Sequence, residues 1–275
     1  MPVIDFHIHT YDYPVRGPAS FIEFMNRELG GSFDEFVRTR CTTENYLKAL
    51  DDAGIDYAVI LAELAPVTSA IATNAGVRRL CQGTKRLIQF ASINPFETDH
   101  LDRELERLVR EENFRGLKLY PTYQYFYPND ARLYPLYAKA QELGVPVLLH
   151  TGSSVFPASR IKYGDPLFLD DVAVDFPDLD IVLAHSGRPF WYDRAFALAR
   201  FRPHIYMEIA GLPPSRVMRY FPELERVADK VIFGSDWPSV PTLKENVAAI
   251  GSLPISAEAK AKILGGNAAR ILKLT

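Results

Sequence analysis

The chain has 275 residues, 48% of them hydrophobic and 24% charged, with a formal net charge of −3. This is ordinary globular composition with ample material for a core, and the length suits one or two domains, α/β barrels of about 250 residues being a single-domain case. The charge balance gives no reason to expect nucleic acid or an anionic membrane surface as partner, and no apolar run reaches the roughly 18 residues of a membrane span.

The N-terminus, Met1-Pro-Val-Ile-Asp5, has neither the basic nor the long apolar region of a signal peptide. Val3-Ile-Asp-Phe-His-Ile-His9 reads as a buried strand. Asp5, His7 and His9 share one parity, so regular alternation sends them to one face, where two imidazoles can grip one ion. Residues 10–41 are too long and too aromatic for a plain connection. They read as an inserted helical segment, either folded over the mouth that strand one opens into or serving as a packing or oligomer contact.

A helix follows over Thr43 to Ala53, capped by Thr42 or Thr43 and stopped by Gly54. Tyr57 to Ala62 is a strand, Ser69 to Cys81 is helical, and Leu87 to Ile93 is a strand closed by Asn94-Pro95. Residues 99–113 form an amphipathic helix with Leu101, Leu105, Leu108 and Val109 on one side. Gly116 to Tyr120 is a short strand, 135–143 a helix, and Val145 to His150 a strand. A helix over 168–176 precedes strand Ile181 to His185. Helix 192–200 precedes strand His204 to Ile209, and helix 216–228 precedes strand Val231 to Ser235. Helices at 243–250, 256–264 and 267–274 close the chain. Cys41 and Cys81 lack framework or metal-ligand spacing and read as free buried thiols in a reducing cytoplasm, the expected location.

Eight strands alternating with helices, several of them continuous apolar runs, predict parallel strands buried on both faces. No linker divides the chain. The expected architecture is a single α/β domain over 1–275, a (β/α)8 TIM-like barrel with the 10–41 insertion after strand one. An open doubly wound sheet is the rival, but no Gly-x-Gly-x-x-Gly follows strand one.

In such a barrel the strand ends gather at one rim, where the active sites of this fold lie. His7 and His9 end strand one, Lys118 and Tyr120 strand four, His150 strand five and His185 strand six, and Asp236 follows strand eight. His7, His9, His150 and Asp236 suit a divalent ion, zinc first and manganese, iron or cobalt next, with room for a water whose pKa the ion lowers. Asp236 can bind the ion and accept the proton of that water. His185 can bind metal, or stand off it as acid and base; the second role is preferred.

Asp5-Phe-His7-Ile-His9, His150-Thr-Gly, His185-Ser-Gly, Gly234-Ser-Asp236-Trp-Pro and Gly266-Asn-Ala-Ala-Arg-Ile-Leu272 together resemble the amidohydrolase superfamily. They resemble most its amidohydrolase-related branch, which includes aminocarboxymuconate-semialdehyde decarboxylase-like enzymes. The resemblance spans the chain in order. It implies a distorted TIM barrel and a divalent metal, usually zinc, on His7, His9, His150 and Asp236, with His185 catalytic or binding a second metal. One ion is favoured over two. In binuclear members a carboxylated lysine ends strand four, which leaves Lys118 as metal bridge, substrate contact or structural ion pair.

The expected activity is hydrolysis: a metal-bound water attacks an ester, lactone or amide carbon of a small molecule that can bear a carboxylate. The alternative is a non-oxidative, metal-dependent decarboxylase of the same branch. A phosphoesterase and a non-catalytic metal-binding protein are further alternatives. Tyr120 could donate to an oxyanion, and Arg160, Lys162 or Arg188 could read an acidic substrate. Glu63 and Asn94 can line the mouth, whereas Glu208 is expected to pair a core cation. His100 and His204 read as surface residues. Partners are limited to the small substrate, with a homo-oligomer left open.

Overall fold

The computed structural model describes residues 1–239 and 242–274. Eight parallel strands make one sheet: β1 (Ile4–His9), β2 (Tyr57–Leu61), β3 (Leu87–Ser92), β4 (Gly116–Leu119), β5 (Val147–His150), β6 (Ile181–Ala184), β7 (Ile205–Glu208) and β8 (Val231–Ile232). Neighbours in sequence are neighbours in the sheet. The chain after β8 returns to β1: Phe6 N donates to Phe233 O at 3.0 Å, Asp236 N to His7 O at 3.0 Å, and His9 N to Trp237 O at 2.8 Å. The sheet is thereby nearly closed, with helices between its strands. This is the (β/α)8 barrel that the alternating pattern predicts.

Continuous apolar strands form because each strand is buried on both sides. Phe6, Val59, Leu61, Phe90, Leu148 and Val182 pack together inside the barrel, where the helix Asn267–Ile271 adds Ala268 and Ile271. Ile8, Ile60, Leu117, Leu119, Val147, Leu149 and Leu183 pack outside, against helix residues such as Leu105, Leu136 and Leu169. Phe6 inside and Ile8 outside means that regular alternation fails between them. The register confirms a bulge there, three steps of β1 matching two of β2 between Asp5 and Ile8. Bulges re-aim side chains beside active sites. Here the bulge splits the expected one-face trio. His7 and His9 line the cavity inside the barrel, whereas Asp5 braces the seam, its Oδ1 accepting from His7 N at 3.0 Å and Ser235 N at 2.9 Å.

The helix Thr43–Ala53 has the expected bounds, with the Thr42 side chain accepting from Asn45 N and Gly54 at φ 70° closing it. Two expected helices differ. Residues 69–81 begin as a strand, Ile71–Ala72, antiparallel to Glu63–Leu64, and turn helical only at Asn74, where the Thr73 side chain caps. Residues 216–228 break into a helical turn over Val217–Tyr220 and a 3-10 stretch over Leu224–Lys230. Pro222 is the reason: it disfavours helix at Phe221, which stands at φ −130°, ψ 77°. The ladder of β8 is two residues long where five were expected.

Residues 10–41 hold two helices, Ala19–Leu29 and Phe33–Arg40. Tyr11, Phe21, Met25, Phe33 and Val37 bury one another in a small separate cluster. Phe21 and Phe24 meet Phe156, from the loop after β5, edge to face at 4.8 and 5.5 Å between ring centroids.

Candidate metal centre

The C-terminal ends of the strands enclose a cavity of about 150 Å³, lined by His7, His9, Lys118, His150, His185 and Asp236 on its polar side. A larger cleft of about 840 Å³ opens between the beginnings of β2 and β3. Its charged lining is Arg78, Arg79, Lys85, Arg115 and Lys273, with no imidazole or carboxylate among the described residues. The chemistry therefore belongs to the smaller cavity.

Three ligand atoms face one another there. His7 Nε2 lies 3.2 Å from His9 Nε2 and 3.6 Å from Asp236 Oδ1, and His9 Nε2 lies 3.3 Å from that oxygen. A tetrahedral ion with bonds of about 2.0–2.1 Å separates its ligand atoms by about 3.3 Å. The donor set and the spacing therefore fit a divalent ion. The far nitrogens face carboxylates: His7 Nδ1 is 3.2 Å from Glu208 Oε2 in a hydrogen bond, and His9 Nδ1 is 3.1 Å from Glu63 Oε2, an ion-pair distance without hydrogen-bond alignment. Such partners turn the ring and leave the other nitrogen free to bind.

Charge makes the same demand. Burial alone would push the His9 imidazolium down, but Asp236 and Glu63 outweigh it and lift its pKa to about 9. With two acids against it, His9 calls for a positive charge, a proton or an ion. Burial holds His7, His150 and His185 well below the usual histidine range, so these rings are neutral. Burial opposes the Asp236 charge, yet His9, His7 and Arg188 hold its pKa below the ordinary carboxylate value.

The backbone that presents these groups is strained. His185, Ser186 and Asp236 stand at φ 62°, 48° and 71°, a region that side-chain-bearing residues seldom adopt. Hydrogen bonds hold them: Ser186 Oγ donates to Glu208 O at 2.9 Å, and His185 N to Glu208 Oε2 at 3.2 Å. Strain of this kind clusters at functional sites. Gly211 makes room for the set. A Cβ there would meet Arg188 Nη1, and Asp236 Oδ2 at 2.7 Å.

His150 lines the cavity, its ring 4.7 Å from that of His185, but it stands outside the tight group of His7, His9 and Asp236. Its Nε2 is 3.2 Å from Ser153 O, so Nδ1 is the nitrogen left for a ligand role. His185 donates from Nδ1 to Ala210 O at 2.9 Å, leaving Nε2 uncommitted. A second close group joins His7, His185 and Glu208. Glu208 was expected to pair a core cation. It accepts from His7, His185 N and Ala210 N, and the buried Lys118 is the cation whose charge acts on it. Burial raises its pKa, opposed first by the Lys118 charge and then by the Ala210 and His185 N–H groups.

Lys118 turns inward and is fully buried, and Nζ has no hydrogen-bond partner among the described residues. Burial pushes its pKa down, against the pull of Glu208, Asp236 and Glu63. Nζ lies 4.8 Å from the Tyr120 ring centre, and the charge that acts on it most strongly is that of Glu208. Tyr120 is no free donor, because its O–H goes to Ala62 O at 2.9 Å. Arg160 is outside the cavity lining, its guanidinium stacked 4.3 Å from the Tyr125 ring centre. Lys162 lies over Tyr163, at 4.8 Å. Arg188 lines the cavity and donates to Gly211 O at 2.6 Å. Asn94 accepts from Phe96 N, beyond the lining. His100 is exposed, and His204 lies 2.8 Å from Asp180. Sequence reasoning missed Tyr11 and Tyr123, both in the lining. Tyr11 continues the His7, His9 spacing one step further, a signal that was there to use.

Comparisons with known proteins agree with this fold. A solved TIM-barrel protein of unknown function from Bordetella bronchiseptica is 27% identical, with a TM-score of 0.77 over 99% of each chain. 5-Carboxyvanillate decarboxylase from Sphingomonas paucimobilis shares the fold at 20% identity and a TM-score of 0.70, over 100% of this chain and 99% of that one. A probable 2-pyrone-4,6-dicarboxylic acid hydrolase from Acinetobacter baumannii does so at 16% and 0.70, over 100% of both. A 2-keto-4-carboxy-3-hexenedioate hydratase from a Sphingobium species is 32% identical over 113 residues, 35% of this chain and 33% of that relative. This chain thus matches about a third of that relative's length. The profile of the amidohydrolase family matches residues 4–274. A match from the first strand through the last helix settles the lineage, and the chain belongs to the amidohydrolase family.

Proposed function

We propose that the protein is a metal-dependent hydrolase that opens an ester, lactone or amide of a small, carboxylate-bearing molecule. The observation that carries this reading is the triangle of His7 Nε2, His9 Nε2 and Asp236 Oδ1, with edges of 3.2, 3.3 and 3.6 Å. These residues would hold the ion, with His150 as the fourth protein ligand. A divalent ion there, zinc first and manganese, iron or cobalt next, acidifies a water and polarises an acyl oxygen.

The chain's own groups do the rest. Asp236 stays ionised, so its Oδ2 accepts the proton of the attacking water. His185 is neutral with Nδ1 fixed on Ala210 O, so Nε2 can take that proton on and pass it to the leaving group. Tyr11, Phe24, Tyr123 and Phe156 wall the cavity and keep bulk water out.

The aromatic walls also favour a second reading. They suit a flat unsaturated acid, the kind of molecule that can take a proton on carbon as CO₂ leaves. A panel of small lactones, esters, amides and aryl or enol acids separates the two. Acid released without CO₂ supports hydrolysis, and CO₂ release without water addition supports the decarboxylase.

A further inference from the structure

The cleft of about 840 Å³ lies where β2 and β3 begin, at the other end of the barrel from the histidines. Barrel chemistry occupies the strand ends, so this cleft is no part of the reaction chamber. Its volume is that of a small-molecule site. Five cations from three parts of the chain line it. Arg78 and Arg79 lie in the last turn of the helix Asn74–Cys81, with Lys85 in the connection that follows. Arg115 immediately precedes β4, and Lys273 follows the last helix.

Local structure uses only part of this charge. Arg78 Nη1 lies 3.2 Å from Glu112 Oε2 and Arg79 Nη2 3.6 Å from Asp12 Oδ1, and both arginines offset the carbonyl end of their own helix. The other three face no acid. Arg115 donates to Leu272 O at 2.8 Å and Lys273 to Gly144 O at 2.9 Å, both neutral acceptors. Lys85 is exposed, and no hydrogen bond or ion pair among the described residues engages it. Three positive charges without a carboxylate partner among the described residues thus share one cleft, in a chain whose net charge is −3. Cations on one concave wall repel one another and focus their field into the cleft, where it concentrates anions. A row of cations along one helix would be a solvated face. Cations that surround a cleft select a compact ligand, and several of them call for several negative charges.

We propose that this cleft binds a small polyanion, a molecule with two or more linked phosphoryl groups. The site is separate from the metal centre, and its ligand is neither the substrate nor the metal of the reaction proposed above.

The test is calorimetric titration with tripolyphosphate and with orthophosphate in low-salt buffer. It compares wild type, Lys85→Gln, the double variant Lys85→Gln, Arg115→Gln, and a charge-matched double variant Lys48→Gln, Arg226→Gln at exposed ion pairs outside the cleft. Tripolyphosphate also chelates metals, so each titration is repeated in a His7→Ala, His9→Ala background. Wild type should bind tripolyphosphate at least about tenfold tighter than orthophosphate, as a field of one sign implies. The cleft double variant should weaken tripolyphosphate by about tenfold or more, as lost charge-assisted hydrogen bonds imply. Lys85→Gln alone removes no internal contact and should weaken it several-fold; it decides the matter if the double variant melts early. The charge-matched variant and the histidine background should bind as wild type does. Undetectable binding, equal binding of the two probes, equal weakening by the cleft and charge-matched variants, or loss of binding in the histidine background overturns the proposal.

Discussion

Glu208 Oε2 lies 3.2 Å from His7 Nδ1, while His7 Nε2 faces His9 and Asp236. A strand-seven acid thus sets the orientation of a strand-one imidazole. Glu208→Gln keeps the shape but weakens the acceptor. Metal affinity should fall about 10–100-fold, as for other carboxylate partners of ligating histidines. Competition with a chromogenic chelator measures it, and wild-type affinity in the variant would assign Glu208 a purely structural role.

Asp236→Asn removes the proposed proton acceptor while conserving volume. Turnover should drop by about 10²–10⁴ at unchanged circular dichroism. Activity near the wild-type level would reassign the base.

Gly211→Ala places a methyl group 2.7 Å from Asp236 Oδ2, at φ 66°. Backbone strain and the clash both act on the site. Turnover should fall more than stability does, by roughly tenfold or more for a shift of about 1 Å. A variant that melts early but turns over normally would contradict this.

Phe90→Ala tests the barrel interior. Phe90 is fully buried and meets Phe6 edge to face at 5.4 Å. The cavity should cost about 3–5 kcal/mol in denaturant unfolding. A loss under about 1 kcal/mol would mean the interior repacks freely.

Burial pushes the Cys81 thiol up to about 12. The thiolate is the reactive form, so a raised pKa means less of it at any lower pH. Iodoacetamide at pH 8.5 should leave Cys81 unlabelled in the folded protein and label it in urea. Rapid labelling without denaturant would show that the site is open.

The barrel was legible because its cause is local: apolar strands buried on two sides, separated by helices with an apolar face. The placement of His7, His9, His150, His185 and Asp236 around one cavity followed from strand ends alone. What was not legible depends on partners distant in sequence. Nothing near Glu208 announces that His7, two hundred residues earlier, is its partner. The bulge between Asp5 and Ile8 lies where Ser235 and Asp236 return onto β1. The helix expected over 216–228 is the opposite case, since Pro222 was visible and should have divided it.

Elemental analysis of the purified protein beside its His7→Ala, His9→Ala double variant tests the metal centre most directly. The wild type should hold one equivalent of a divalent transition metal, and the folded double variant should hold almost none. A wild type that takes up no metal, or a double variant with a full equivalent, would contradict the assignment of these histidines.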